Sequence, residues 1–242
     1  MPEVSPLVMR DIVAGYSTSD VVLDGVSLEV RAGLVTAVLG PNGSGKSTAL
    51  RTMFGLTRIR QGTVELDGDV INDLPVHERL RRGLALLPQG HSVFPELTVE
   101  ENLLIGGWVF GGDTKRITTA LERTYEHYPI LAERPNVTAG SLSGGQQRIL
   151  EIARLVFTDP DILLIDEPSV GLAPVLVDGV YEEIEQLKAL EKTLLLVDQN
   201  VEMAIELADY VYILEYGENR AEGEVDEFAG DIGAIVKDWL QI

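Results

Sequence analysis

Apolar positions along this chain repeat at a period of about two, then at about 3.6, then at about two again. Leu7 to Ala14 and Val22 to Val30 read as strands, the second partly alternating through Leu23, Val26, Leu28 and Val30. Gly33 turns the chain into a continuous apolar run, Leu34 to Leu39, which predicts a buried strand, and Ser47 to Gly55 predicts the helix after it. Gly62 to Val70 reads as a strand-and-turn unit around Asp67-Gly68, and Gly83 to Pro88 as a short strand that delivers Gln89. From Leu97 to Asp159 the pattern is helical. Thr98 with Glu101 forms a capping box, Lys115 to Leu131 carries a helix, and residues 136–140 break it. Ser143 with Gln146 starts another helix, continued by Ile149, Ile152, Ala153 and Val156. Strands at Ile162 to Ile165, Thr193 to Val197 and Val211 to Glu215 then alternate with helices at Pro174 to Leu190 and Val201 to Ala208. Ile232, Ile235, Val236, Trp239 and Leu240 suit one face of a terminal helix. The pattern predicts an α/β core, residues 1–92 and 160–223, with a helical lobe inserted at 93–159 and a helical extension at 224–242.

Composition narrows the function classes. The 242 residues suffice for a substantial core. No apolar run approaches the roughly 20 residues of a membrane helix, and no secretion signal opens the sequence. A cytoplasmic protein is expected, touching the membrane only through a partner. The absence of cysteine excludes disulfides, thiolate metal sites and cysteine catalysis. Lys plus Arg total 19 against 39 Asp plus Glu, a formal net charge of -20. Such a surface repels nucleic acid, so no nucleic-acid partner is expected. The scarcity of lysine and the acid excess predict a cytoplasm held at high salt; the alternative is an ordinary acidic surface that aids solubility.

The chemistry lies at the strand ends. Gly40, Pro41, Asn42, Gly43, Ser44, Gly45, Lys46, Ser47 and Thr48 form the phosphate-binding loop G-x-x-x-x-G-K-[ST], between an expected strand and an expected helix. Its backbone N–H groups cradle phosphates, Lys46 neutralises the terminal ones, and Ser47 offers its hydroxyl to magnesium. Asp166 ends the apolar strand Ile162 to Ile165 and is placed to hold the magnesium shell; Glu167, one step on, is the candidate to orient or activate the attacking water. Gln89 can touch magnesium or that water from its own strand end. Ser143, Gly144 and Gly145 present a hydroxyl and backbone donors at a helix start, which suits an anion. Within one subunit they duplicate the phosphate loop, so they are expected to cover the γ-phosphate bound by a second subunit. Tyr16 is a candidate to stack on adenine, or else a core aromatic.

Over Leu7 to Gly223 these residues resemble the nucleotide-binding subunit of an ABC transporter. The resemblance implies a P-loop NTPase of ABC ATPase type, with an antiparallel β subdomain, ATP and Mg2+ as ligands, and a head-to-tail ATPase dimer. It casts Gln89 as the glutamine that couples the lobe, and Leu142 to Gln147 as the signature reaching across the dimer. Two departures stand out. Ala173 replaces the usual aspartate after the catalytic glutamate, and Gln199 replaces the switch histidine. Gln199 can hydrogen-bond a γ-phosphate but cannot titrate near neutral pH; Asp198 beside it either assists or lies on the surface.

The runs Gly171-Leu172-Ala173-Pro174 and Gln199-Asn200 are similar to the F-type ATPase subunit of branched-chain amino-acid uptake systems. That similarity implies two permease subunits, a second nonidentical ATPase and an external binding protein, with this subunit at the cytoplasmic face of the membrane. Urea or short-amide uptake, import of another solute, and soluble nontransport ABC ATPases are the alternatives.

Overall fold

The computed structural model describes residues 6–17, 19–90 and 92–228. Its strands are β1 Leu7–Gly15, β2 Leu23–Val30, β3 Val35–Leu39, β4 Arg58–Leu66, β5 Asp69–Val70, β6 Leu84–Leu87, β7 Ile162–Asp166, β8 Thr193–Val197, β9 Tyr210–Glu215 and β10 Glu218–Glu224. Its helices are α1 Lys46–Phe54, α2 Val76–Arg81, α3 Val99–Gly106, α4 Thr114–His127, α5 Pro129–Ala132, α6 Gly144–Val156, α7 Pro174–Ala189, α8 Val201–Leu207 and α9 Val225–Phe228.

β3, β7 and β8 are buried at every position, as expected of parallel strands covered on both faces. Side-chain alternation divides them between two cores. Val38, Ile162, Leu164, Leu195 and Val197 face α1 and the inner side of the antiparallel sheet β2-β1-β4-β5. Val35, Leu163, Ile165, Leu194 and Leu196 face α7 and α8. A third core, built on Val99, Leu103, Leu131, Leu150 and Phe157, lies within the helical lobe. The central sheet runs β10-β9-β3-β8-β7-β6, parallel from β9 to β6. Val197 lies opposite both Val38 and Asp166, and Ile165 lies opposite Leu87. Four strand ends therefore stop level with one another along one edge, where ligands of open parallel sheets bind.

Three elements depart from the expected pattern. β10, with the sequence Glu-Asn-Arg-Ala-Glu-Gly-Glu, is an edge strand paired only to β9 and mostly exposed, so it carries no apolar alternation. α2 is short and was not anticipated; its buried Arg79 donates to the carbonyls of Leu74, Met53, Ile71 and Asn72 and ties this segment to the end of α1. The helix expected over Lys115 to Leu131 breaks at Tyr128, whose φ of -119° precedes Pro129. Proline disfavours helical geometry in the residue before it. The terminal helix read from Ile232 to Leu240 lies outside the described residues.

Candidate functional site

Both capping boxes form, Thr98 with Glu101 on α3 and Ser143 with Gln146 on α6. The phosphate loop leaves β3 and enters α1 through Gly45, whose φ of 102° is left-handed and whose hypothetical Cβ would lie 2.8 Å from Leu23. A side chain on Gly40 would strike the carbonyl of Leu214. Both positions therefore require glycine. Gly217, in the β9–β10 turn, donates its N–H to the Ser44 carbonyl at 3.0 Å and braces the loop from outside. Lys46 is almost wholly buried and donates to the carbonyls of Gly40 and Pro41 at 2.9 and 3.1 Å. Burial lowers its pKa, opposed by the charges of Glu167, Asp166 and Asp198. A buried lysine in a glycine-rich loop that opens a helix is an arrangement that suits a polyphosphate.

Ser47 donates its hydroxyl to Asp166 Oδ1 at 2.8 Å, joining the start of α1 to the end of β7. Asp166 Oδ2 is buried without a hydrogen-bond donor; the Arg51 guanidinium stands 3.9 Å away. Burial raises the pKa of Asp166, and the Ser47 hydroxyl opposes that shift. A buried carboxylate oxygen with no donor is costly unless a cation meets it. Ser47 and Asp166 form an oxygen pair of the kind that suits Mg2+, which takes its other ligands from phosphates and water, whereas the Gln89 amide is directed at Glu167. Among the described residues no group of three or more His, Cys, Asp or Glu could hold a metal by itself.

Glu167 has a φ of 44°, a left-handed conformation uncommon for a residue with a side chain. Its N–H donates to the Val197 carbonyl at 2.8 Å, which holds the turn, and the side chain is 4% exposed. Gln89 donates to Glu167 Oε2, and Gln199 donates to both carboxylate oxygens at 3.1 Å. The ends of β6, β7 and β8 thus converge on one carboxylate. Asp198 is not a surface residue: it is 1% exposed, accepts from the Tyr181 hydroxyl at 2.6 Å and from Asn200 N at 2.9 Å. Burial raises its pKa, and those donors oppose the rise. Its contacts place it as an anchor for the turn that carries Gln199.

Tyr16 is 54% exposed rather than a core aromatic, and its hydroxyl lies 3.1 Å from Thr48 Oγ1. The backbone N–H donors of Tyr16 and Ser17, with the Ser17 hydroxyl, hold Asp20 near a pKa of about 2, the hydroxyl contributing most. An open ring face therefore stands on the rim of the phosphate loop. Ser143, Gly144 and Gly145 occupy the N-terminus of α6, and a Cβ on Gly144 would meet nothing within 4 Å. Among the described residues no hydrogen bond or ion pair joins Ser143, Gly144 or Gly145 to residues 40–48.

One linkage was not read from the sequence. Arg148 and Glu151 on α6 form a buried ion pair at 2.7 Å. Arg148 also donates to the Gly90 carbonyl, Glu151 accepts from the N–H groups of Ser92 and Val93, and Arg154 donates to Ser92 Oγ. The signature helix thereby grips the segment just after Gln89. The signal available was the spacing 148, 151, 154, three charged residues on one face among the apolar positions Ile149, Leu150, Ile152, Ala153 and Leu155.

A family profile described as "ABC transporter" matches residues 23–170. The chain is 40% identical over 207 residues to the high-affinity branched-chain amino acid transport ATP-binding protein BraG of Pseudomonas aeruginosa, covering 86% of this chain and 88% of that one. It is 37% identical to the probable branched-chain amino acid transport ATP-binding protein LivF of Archaeoglobus fulgidus, covering 88% and 90%. Relatives named for Nod factor export, including one from Burkholderia lata, reach 36% over 91% of this chain and 71% of theirs. Among solved structures, the ATP-binding cassette MJ1267 of an ABC transporter superposes with a TM-score of 0.80 at 29% identity, covering 96% and 97%.

Proposed function

This chain belongs to the ABC transporter family as an ATP-binding subunit, and from that premise we propose that it powers import of branched-chain amino acids (leucine, isoleucine and valine) across the cytoplasmic membrane. Gln89 and Gln199 meeting on Glu167, at the edge that also bears the phosphate loop, is the observation that carries the hydrolytic reading. The branched-chain names of relatives aligned over most of both chains support the solute. Urea or short amides remain the second reading, because the solute never meets this subunit and exporters align at similar identity.

On this reading Tyr16 stacks on adenine, Gly40 to Thr48 enclose the phosphates, and Lys46 offsets charge on the β- and γ-phosphates. Ser47, Asp166 and Gln89 hold Mg2+, which supplies charge stabilisation for the leaving and transferred phosphoryl oxygens when bound. Glu167 orients the attacking water and accepts its proton; Gln199 and Gln89 hold that carboxylate in place. Ser143, Gly144 and Gly145 close over the γ-phosphate of a head-to-tail partner, whose own signature completes this site. A cavity of about 250 Å³ beside the Gln89 segment, lined in part by Leu80, Pro88, Phe94, Ile105 and Trp108, offers an apolar seat for a permease helix. Phe94 and Trp108 are each 45% exposed there. No helix among the described residues is long and apolar enough to cross a membrane, so attachment through permeases, at the cytoplasmic face, completes the reading. The acidic surface is taken as an adaptation to a saline cytoplasm.

Affinity purification of the tagged native protein in mild detergent, at the host's working salt, tests the assembly. Two multi-span permeases, a second ATPase and an adjacent binding protein that takes leucine are expected. A binding protein that takes urea would shift the solute, and recovery of soluble partners alone would overturn transport. Gln199→Ala is expected to lower ATP turnover about tenfold, the effect of losing a hydrogen bond to a charged group. An unchanged rate in the assembled transporter would remove Gln199 from any positioning role.

A further inference from the structure

Tyr181 belongs to α7, yet its hydroxyl meets two of the turns that leave the nucleotide edge of the sheet. Its ring is buried in the core that also holds Ile165 and Leu196, so close packing fixes where the hydroxyl stands. That hydroxyl donates to Asp198 Oδ2 at 2.6 Å and lies 3.3 Å from Ser169 Oγ. A phenol has one proton to give, so Ser169 is the donor in the second contact. Burial and then Asp198 raise the Tyr181 pKa, with Ser169 opposing, and the phenol keeps its proton through the neutral range.

The two partners lie on different turns. Ser169 follows Glu167 shortly after β7, and Asp198 directly precedes Gln199 after β8. The same turns meet again where Gln199 donates to both Glu167 oxygens at 3.1 Å, and where Glu167 N–H reaches the Val197 carbonyl at 2.8 Å. Tyr181 therefore closes a ring of contacts through Asp198, Gln199, Glu167 and Ser169. Glu167, at a φ of 44°, holds a conformation that persists only where its surroundings over-determine it. A core tyrosine that needed only a satisfied hydroxyl would require one partner; this one takes one on each turn.

We propose that Tyr181 is a positioning residue for hydrolysis. Through Ser169 and Asp198 it fixes the spacing of the turns that carry Glu167 and Gln199, and so keeps the Gln199 amide on the Glu167 carboxylate. The inference rests on the reading of Glu167 as the group that orients the attacking water. Because Tyr181 acts through Gln199 and makes no contact with the phosphate loop among the described residues, its loss falls on kcat and not on the KM for ATP.

Tyr181→Phe keeps the ring and removes the hydroxyl, and steady-state ATP turnover of the assembled transporter, well below its melting temperature, is the test. The kcat is expected to fall about tenfold with KM unchanged, the effect of losing a hydrogen bond to a charged group. Added to Gln199→Ala, Tyr181→Phe should lower kcat by less than about twofold more, because the residue it acts through is already gone. A merely structural tyrosine would lower the melting temperature without this dependence on Gln199. Parent kcat in folded Tyr181→Phe, a loss carried by KM, or an equally large loss in the Gln199→Ala background would overturn the proposal. Parent kcat in Glu167→Gln would overturn it together with the hydrolytic reading, which a failure confined to Tyr181→Phe leaves standing. Ser169 is only partly buried, so Ser169→Ala decides if Tyr181→Phe fails to fold. It should lower kcat about threefold, again at unchanged KM, and parent kcat there would overturn the proposal.

Discussion

Glu167→Gln is expected to bind ATP within about threefold of the parent protein while turnover falls by about 10²–10⁴-fold, the range of a lost general base. The substitution preserves length and shape, so the left-handed turn at residue 167 and its N–H bond to Val197 should survive. What goes is the negative charge. The amide can no longer accept a proton, and its NH2 group repels one of the donors that Gln89 and Gln199 now direct at the carboxylate. None of the phosphate-loop contacts changes, because Lys46 is held by Gly40 and Pro41 rather than by Glu167. With hydrolysis stalled and nucleotide retained, the closed dimer should accumulate. Single-turnover assays give the rate, and gel filtration with ATP gives the dimer fraction. Turnover at the parent rate would remove Glu167 from catalysis; loss of ATP binding as well would make its role structural.

The nucleotide edge was legible because its chemistry is local in sequence. A phosphate loop must have glycine where a Cβ would strike Leu214 or Leu23, and a lysine beside it, and those demands leave a contiguous signature at residues 40–48. Buried parallel strands announced themselves the same way, since β7 and β8 have water on neither face and, apart from Thr193, which accepts from Gly33 N, are apolar before the functional carboxylates. β10 was illegible for the opposite reason. Held at the sheet edge by backbone pairing to β9 and by polar side chains such as Asn219 on Ser27 and Glu224 on Arg31, it needs little apolar alternation. The sequence left Asp198 open between assisting and a surface role because nothing in its neighbours announces Tyr181, seventeen residues earlier, whose hydroxyl meets the buried carboxylate. The grip of α6 on Gly90, Ser92 and Val93 was missed for the same reason: its partners lie about sixty residues apart in the chain.

That grip carries the largest expected stability effect. Arg148 and Glu151 are 3% and 0% exposed, and they pair through Arg148 Nη1 while each also holds backbone after Gln89. Removing one member of a buried pair leaves the other charged and unsolvated, at about 3–5 kcal/mol. Arg148→Met and Glu151→Gln should therefore each lower the melting temperature by roughly 6–20 °C in a domain of this size. Arg148→Met combined with Glu151→Gln removes both charges and should cost less than the two single losses together, because neither ion is left stranded. Equal and additive losses would mean that the pair is not coupled. The double variant also separates stability from transmission. Its phosphate loop, Asp166 and Glu167 are untouched, so the isolated subunit should hydrolyse ATP near the parent rate. In the assembled transporter, solute-stimulated hydrolysis should fall, since the signature helix no longer fixes the segment beside the apolar cleft. Full stimulation in the double variant would show that the movement passes by another route.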